Sequence, residues 1–250
     1  MRGVLLAGGT GSRLHPLTAS TNKHLLPIAG RPMVEWAIEA LVRADVTEII
    51  VVTGPEHVAA FESLLGDGSA LGVDRLAFAV QERPGGIAEA LGLTEQFAGG
   101  GPIVLMLADN LLERSIADMV TAFEKEPVGA RLLLSEVDEA EHLRHLGVPE
   151  LDAAGRIVAI VEKPASPPSR YAVTGVYCYE PSVYDVVRTL VPSGRGELEI
   201  TDVNNHFVGT GAVTYDVLDG FWGDAGESLE AYREVDAFIS AHGANAPADS

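Results

Sequence analysis

Short apolar runs rich in β-branched residues recur along the chain at 4–7, 49–53, 76–80, 103–107, 131–137, 157–161, 173–179 and 213–218, and each predicts a strand. Helical patterns lie between the early runs. The clearest spans 32–44, where Val34, Ala37, Ile38, Leu41 and Val42 repeat at i, i+3, i+4, i+7 and i+8, and Pro32 suits a first helical turn. Strand alternating with helix predicts an α/β protein, its mainly parallel sheet covered on both faces by helices. In such sheets a ligand sits beyond the carboxyl ends of the strands, where the residues after 4–7 and after 103–107 fall. After about residue 130 the spacing changes to strands joined by turns, with Pro164, Pro167 and Pro168 breaking the chain. This predicts one domain over 1–242, with a first half at 1–130 and a second half at 131–242 that has no core of its own. A last helix is expected over 228–241, and 243–250 reads as a disordered tail of small residues.

Composition narrows the chemistry. With 250 residues and 47% hydrophobic content, the chain can bury a full core. A formal net charge of −19 and the lack of any Lys/Arg-rich run argue against a nucleic-acid or anionic-membrane surface, which needs a positive footprint. Any phosphate site must therefore be local. Cys178 is the only cysteine, so no intramolecular disulfide can form, and its apolar surroundings suit a buried inert thiol in a reducing, cytoplasmic protein. The first residues start a strand rather than a secretion signal, and no apolar run reaches membrane-spanning length.

The first predicted strand runs into Gly8-Gly9-Thr10-Gly11-Ser12-Arg13-Leu14, with Lys23 downstream. Glycines can take positive φ and bring backbone N–H groups against phosphate oxygens, and Arg13 and Lys23 add a guanidinium fork and an ammonium point charge. The glycines alone fit an ordinary strand-to-helix turn; the two cations shift the balance toward phosphate. The dinucleotide fingerprint G-x-G-x-x-G fails because its third glycine would fall on Leu14, which disfavours a nicotinamide-dependent dehydrogenase. No Gly-Lys-Ser/Thr ending for a Walker loop occurs. Asp109 at the end of the apolar run 102–108 fits either a helix-capping Asp-Asn pair or a metal carboxylate, and Glu162-Lys163 fits an exposed ion pair at a strand exit.

The string from Leu6 to Leu14, with Pro16-Leu17-Thr18 and Asn22-Lys23-His24-Leu25-Leu26-Pro27-Ile28, closely resembles the signature of the sugar-1-phosphate nucleotidyltransferases, especially the glucose-1-phosphate thymidylyltransferases. Later matches follow in the family's order: 81–90, Leu107-Ala108-Asp109-Asn110, Glu162-Lys163-Pro164, 171–177, 192–202 and Trp222-Gly223-Asp224. The resemblance implies the nucleotide-diphospho-sugar transferase fold, Rossmann-like with a mainly parallel mixed sheet. It implies Mg²⁺-dependent transfer of a nucleotidyl group, from dTTP to glucose-1-phosphate, releasing pyrophosphate. By the same resemblance Arg13, Lys23 and Lys163 are catalytic cations, and Leu6, Gly8, Gly9, Gly11, Gln81, Gly86 and Asp109 bind the nucleotide. Gly147, Glu162, Lys163, Val173 and Arg195 bind the sugar phosphate, and Asp109 and Asp224 hold the metal. The Gln81 amide can donate and accept together, which suits the imide edge of thymine or uracil.

The chain departs from the family pattern at Leu146, where the family has Tyr, at His24 and Glu89, where it has Gln, and over Asp224-Ala225-Gly226-Glu227, where it has Asp-Thr-Gly-Thr. These leave open a uridylyltransferase, a transferase for another sugar-1-phosphate, or a noncatalytic nucleotide-sugar sensor of the same fold. His142 and His145 read as solvated helix residues rather than a metal pair. Long family members continue into a further helical segment carrying a second nucleotide site. The resemblance is to the short form, implying product inhibition competitive with the triphosphate and, if the chain self-associates, a homodimer.

Overall fold

A computed structural model describes residues 1–9 and 11–247. Its centre is a seven-stranded sheet, whose strands in chain order are β1 (Arg2–Leu6), β2 (Glu48–Thr53), β3 (Arg75–Val80), β4 (Ile103–Leu107), β5 (Ala130–Glu136), β6 (Tyr171–Tyr179) and β7 (Val213–Val217). Their spatial order is β7-β5-β6-β4-β1-β2-β3. Only β6 runs against the rest: it pairs antiparallel with β4 and β5, while β1 lies parallel to β2 and β4, β2 to β3, and β5 to β7.

Because side chains alternate across a strand, each central strand feeds two cores. Val4, Leu6, Leu105, Leu132, Leu134, Tyr177 and Tyr179 join the core on one face, where the helices Ile87–Gly92, Val183–Thr189 and Ile200–Gly209 pack. Leu5, Ala7, Val104, Met106, Leu133, Val176 and Cys178 join the other, against the helix Met33–Val42. Burial on both faces explains why the strands read as continuous apolar runs. The spacing places that helix correctly, with Val34, Ala37, Ile38 and Leu41 buried. The last helix, Leu229–His242, starts where the Ser228 side chain accepts the Ala231 N–H.

The predicted strand at 157–161 leaves the main sheet. Ile157–Glu162 pairs antiparallel with Gly147–Leu151, which the sequence reading missed because Pro149 interrupts a short strand. The tail needs a correction over 243–247. Asn245 is buried, its side-chain amide donates to the Trp36 carbonyl, and its backbone N–H donates to Leu112 O. Ala246 bridges Arg114, and its carbonyl accepts the Ser115 N–H. Backbone hydrogen bonds, invisible in a composition of small residues, hold this stretch in place; 248–250 lie outside the described residues.

Candidate active site

A cavity of about 360 Å³ opens at the carboxyl ends of β1, β3 and β4 and extends across to the hairpin Gly147–Leu151/Ile157–Glu162. That volume lies in the usual range for a small-molecule site. It gathers Leu6, Gly8, Gly9, Arg13, Lys23, Gln81, Gly86, Asp109, Gly147, Glu162, Lys163, Val173, Arg195 and Asp224 from both halves of the chain. Gly11, alone among the residues assigned from sequence, is not in the wall. At φ 59 it turns the loop, a Cβ there would approach Thr18 Cγ2 to 2.9 Å, and Thr18 Oγ1 donates to its carbonyl.

The loop after β1 is pinned from two sides. Asn22 Nδ2 and Thr53 Oγ1 both donate to Ala7 O, and Asn22 Oδ1 accepts the His24 N–H at the short helical turn Lys23–Leu25. His24 is fully enclosed; burial first, then the charge of Lys23, pushes its imidazole down to about 3, so it stays neutral and donates Nδ1–H to Asn22 Oδ1 at 2.7 Å.

Two carboxylates meet at the cavity floor. Asp109 follows β4, and Asp224 ends the strand Trp222–Asp224, which pairs antiparallel with Asn110–Leu112 and sets Asp224 opposite Asn110. The Lys23 ammonium bonds directly to Asp109 Oδ2. Burial alone would raise Asp109, but the Lys23 charge and hydrogen bond outweigh it and hold this carboxylate ionised below its ordinary range. Asp224 goes the other way: burial, then the charge of Asp109, pushes it up to about 7, although Lys23 and the Gly226 N–H oppose the shift. Gly226 passes under the Lys23–Asp109 pair, where a Cβ would lie 2.4 Å from both Asp109 Oδ2 and Lys23 Nζ.

On the far side, Glu162 collects three partners: Thr201 Oγ1 donates to it at 2.8 Å, and Lys163 Nζ and Arg195 Nη2 stand at 3.7 and 3.9 Å. Lys163 adopts φ 47, a left-handed conformation uncommon for lysine and found disproportionately at functional sites. Arg195 lies half-exposed at the rim, held by both oxygens of Glu199 at 3.0 Å. Asn205 clasps the hairpin to the helix Ile200–Gly209, accepting from Ile160 N and donating to Ile160 O at 2.8 Å each.

A sequence profile described as nucleotidyl transferase matches residues 2–242. The chain belongs to that family. It is 45% identical over 239 residues to a glucose-1-phosphate thymidylyltransferase of Actinoplanes sp., covering 94% of this chain and 77% of the relative. It is 41% identical to a low-salt glycan biosynthesis nucleotidyltransferase of Haloferax volcanii, covering 94% and 66%. A Bacillus anthracis crystal structure with sucrose, of a protein assigned as a glucose-1-phosphate thymidylyltransferase, superposes with a TM-score of 0.90 at 42% identity, covering 96% and 95%.

Several residues that organise this nucleotidyltransferase site drew no role from the sequence. Asn110 is the main one. Its Oδ1 accepts from Gly175 N at 2.8 Å and Trp222 Nε1 at 2.7 Å, while Nδ2 donates to Asp109 Oδ1. A shift in register between Val173 and Tyr177 on β6 accompanies that Gly175 contact, and a Cβ on Gly175 would come within 2.7 Å of the Asn110 amide. Their places inside the family-matching stretches 107–110 and 192–202 were the available signals for Asn110 and for Thr201, which donates to Glu162. His142 is not simply solvated as the sequence suggested: its Nε2 pairs with Glu227 Oε2 at 2.8 Å, tying the short helix Ala140–Leu143 to the loop after Asp224. This contact raises the histidine and lowers the glutamate. His145 lines the cavity. Among the described residues no cluster of three or more His, Cys, Asp or Glu could hold a metal, and no helix is long and apolar enough to cross a membrane.

Proposed function

We propose that this nucleotidyltransferase couples dTTP to glucose-1-phosphate, giving dTDP-glucose and pyrophosphate. The observation that carries this reading is the single cavity joining the glycine loop, Arg13 and Lys23 to Glu162, Lys163 and Arg195, with Asp109 and Asp224 between them. The glucose and thymidylyl assignments rest on the relatives named above. In the reaction a phosphate oxygen of the sugar-1-phosphate attacks the α-phosphorus in line; the new P–O bond forms as the bond to the β-phosphate oxygen breaks, and pyrophosphate leaves with that electron pair. No covalent enzyme intermediate is needed. The work of the protein is positioning and neutralising charge.

Asp109 and Asp224 suit Mg²⁺, which usually takes one or two carboxylates plus substrate phosphates. The raised Asp224 supports this, because it marks a buried carboxylate pair that Lys23 alone does not fully compensate. When bound, the ion supplies charge neutralisation on the triphosphate. Arg13 and Lys23 then serve the triphosphate chain. Glu162 accepts from sugar hydroxyls, and Lys163, with Arg195 at the rim, binds the sugar phosphate.

Pyrophosphate release across a panel of nucleoside triphosphates and sugar phosphates tests the assignment. The highest kcat/KM is expected for dTTP with glucose-1-phosphate, and loss of turnover on chelation of divalent ions; a preference for a purine triphosphate would overturn it. Within that assay the cations should separate by role. Lys163→Ala raises KM for the sugar phosphate more than for dTTP, whereas Arg13→Ala chiefly lowers kcat by weakening stabilisation of the departing pyrophosphate. Identical kinetic profiles would remove the distinction.

A further inference from the structure

The region around Gln81 contains a side-chain arrangement that determines more than contact with a base. Gln81 directly follows β3 and lines the cavity. Its Nε2 donates to Gly86 O at 3.2 Å and to Glu89 Oε1 at 3.3 Å. Both partners are acceptors, so the opposite amide orientation would set Oε1 against two oxygens; the hydrogen-bond network itself fixes which atom is which. Both amide hydrogens are therefore committed within the protein. The atom left for a ligand is Oε1, which stands 3.6 Å from the place a Cβ would occupy on Gly8, another residue of the cavity wall. In this arrangement Gln81 offers a ligand an acceptor alone rather than a donor and an acceptor together.

Glu89 is well placed to hold that orientation. It sits in the first turn of the helix Ile87–Gly92, and its second oxygen is held by Arg83 Nη2 at 2.7 Å. Its carboxylate fills the space beside Gly85, where a Cβ would fall 2.2 Å from the carboxylate atoms. The loop below is fixed in turn, since Leu198 N donates to Gly85 O and Ala88 N donates to Leu198 O. Thymine and uracil carry a donor at N3, whereas cytosine, a ring of the same size, carries a lone pair there. A glutamine that can only accept pairs with the first and repels the second. Unsatisfied or opposed polar groups are where binding sites gain most of their discrimination.

We propose that Glu89 is a positioning residue that locks the Gln81 amide with its carbonyl oxygen toward the nucleobase, so that the site selects pyrimidines bearing N3–H against cytosine. The inference rests on reading this cavity as the triphosphate site. Kinetics of the full chain with glucose-1-phosphate and either dTTP or dCTP test it. Glu89→Leu removes the acceptor and frees the amide to rotate, so the ratio of kcat/KM for dTTP over dCTP should fall about 10-fold, through KM for the nucleotide, with KM for glucose-1-phosphate unchanged. Glu89→Gln keeps an acceptor oxygen and should restore a ratio near that of the wild type. Gln81→Leu should lose the same discrimination, and adding Glu89→Leu to it should cost nothing more, because the two act as one unit.

A wild-type ratio in Glu89→Leu, or a loss in Glu89→Gln as large as in Glu89→Leu, would overturn the role of Glu89 and leave the reaction assignment standing. Should Glu89→Leu not fold, an unchanged ratio in Gln81→Leu would overturn it equally. A wild-type enzyme with no turnover of any triphosphate and sugar phosphate would count against the reaction itself; calorimetric affinities for dTTP and dCTP in the same variants then decide the role of Glu89 on their own.

Discussion

Replacing either floor carboxylate, Asp109→Asn or Asp224→Asn, should lower turnover on the order of 100-fold or more, as for loss of a major electrostatic stabiliser of a charged transition state. The two variants should differ in stability. Asp224 has a folded value near 7 against 3.8 for the ordinary group, so the unfolded chain ionises it more readily. That disparity costs nothing below pH 3.8, grows as the pH rises from 3.8 to 7, and is constant above. Asp224→Asn removes it while keeping an oxygen for the Gly226 N–H. Without divalent ions, this variant should unfold at a higher temperature than wild type at about pH 8, by roughly 1–4 kcal/mol in stability, and match it near pH 4. Asp109→Asn instead removes the acceptor of the buried Lys23 ammonium and should lower the midpoint. Steady-state rates and thermal melts at the two pH values check both parts. Near-wild-type magnesium-dependent rates in both variants would overturn the metal assignment, and equal midpoints at the two pH values would overturn the account of Asp224.

Gly86→Ala should be the most damaging added methyl group among the glycines of the cavity wall. Gly86 sits at φ 97, outside the range L-residues adopt readily, and a Cβ there would lie 2.4 Å from Leu198 O and 2.8 Å from Leu198 N. Those are backbone atoms, so the neighbour cannot turn aside as a flexible side chain could. The loop must move off the segment 192–199, taking with it the Gly86 carbonyl that holds Gln81. A stability loss of roughly 2–4 kcal/mol is expected from strain and overlap together, with KM for the triphosphate rising at least about 10-fold. Denaturant unfolding and initial rates measure the two effects. Gly9→Ala makes the control, because φ 94 supplies the strain there with nothing within 4 Å of the added Cβ; a loss as large in Gly9→Ala would assign the effect to backbone strain alone.

The local signals proved reliable where one face of an element is buried by its own pattern. All eight apolar runs are strands, and the helix over Met33–Val42 follows from apolar spacing alone. Membership of one cavity was legible where residues sit in a contiguous motif: the glycine loop with Arg13 and Lys23, Asp109 at a strand exit, Glu162-Lys163 at another. A strand end in an α/β sheet delivers its next side chain to the same rim, so order along the chain already implies convergence in space.

What the sequence could not supply is whatever depends on a partner distant in the chain. Nothing local sets Asp224 against Asp109; the pairing of Trp222–Asp224 with Asn110–Leu112 does so, and the direct Lys23 contact with Asp109, set against burial and the Asp109 charge acting on Asp224, then drives the two carboxylates apart in acidity. Nothing local shows that Asn110 reaches Gly175 and Trp222, that Thr201 supports Glu162, or that His142 meets Glu227. The same holds for the stretch 243–247, where small residues read as a loose tail until backbone hydrogen bonds to Leu112, Glu113 and Ser115 are seen. Gln81 makes the distinction plainest. Its identity, an amide with one donor and one acceptor group, was set by the sequence; which of the two is left without a partner in the protein was decided only when folding placed Gly86 and Glu89 against its nitrogen.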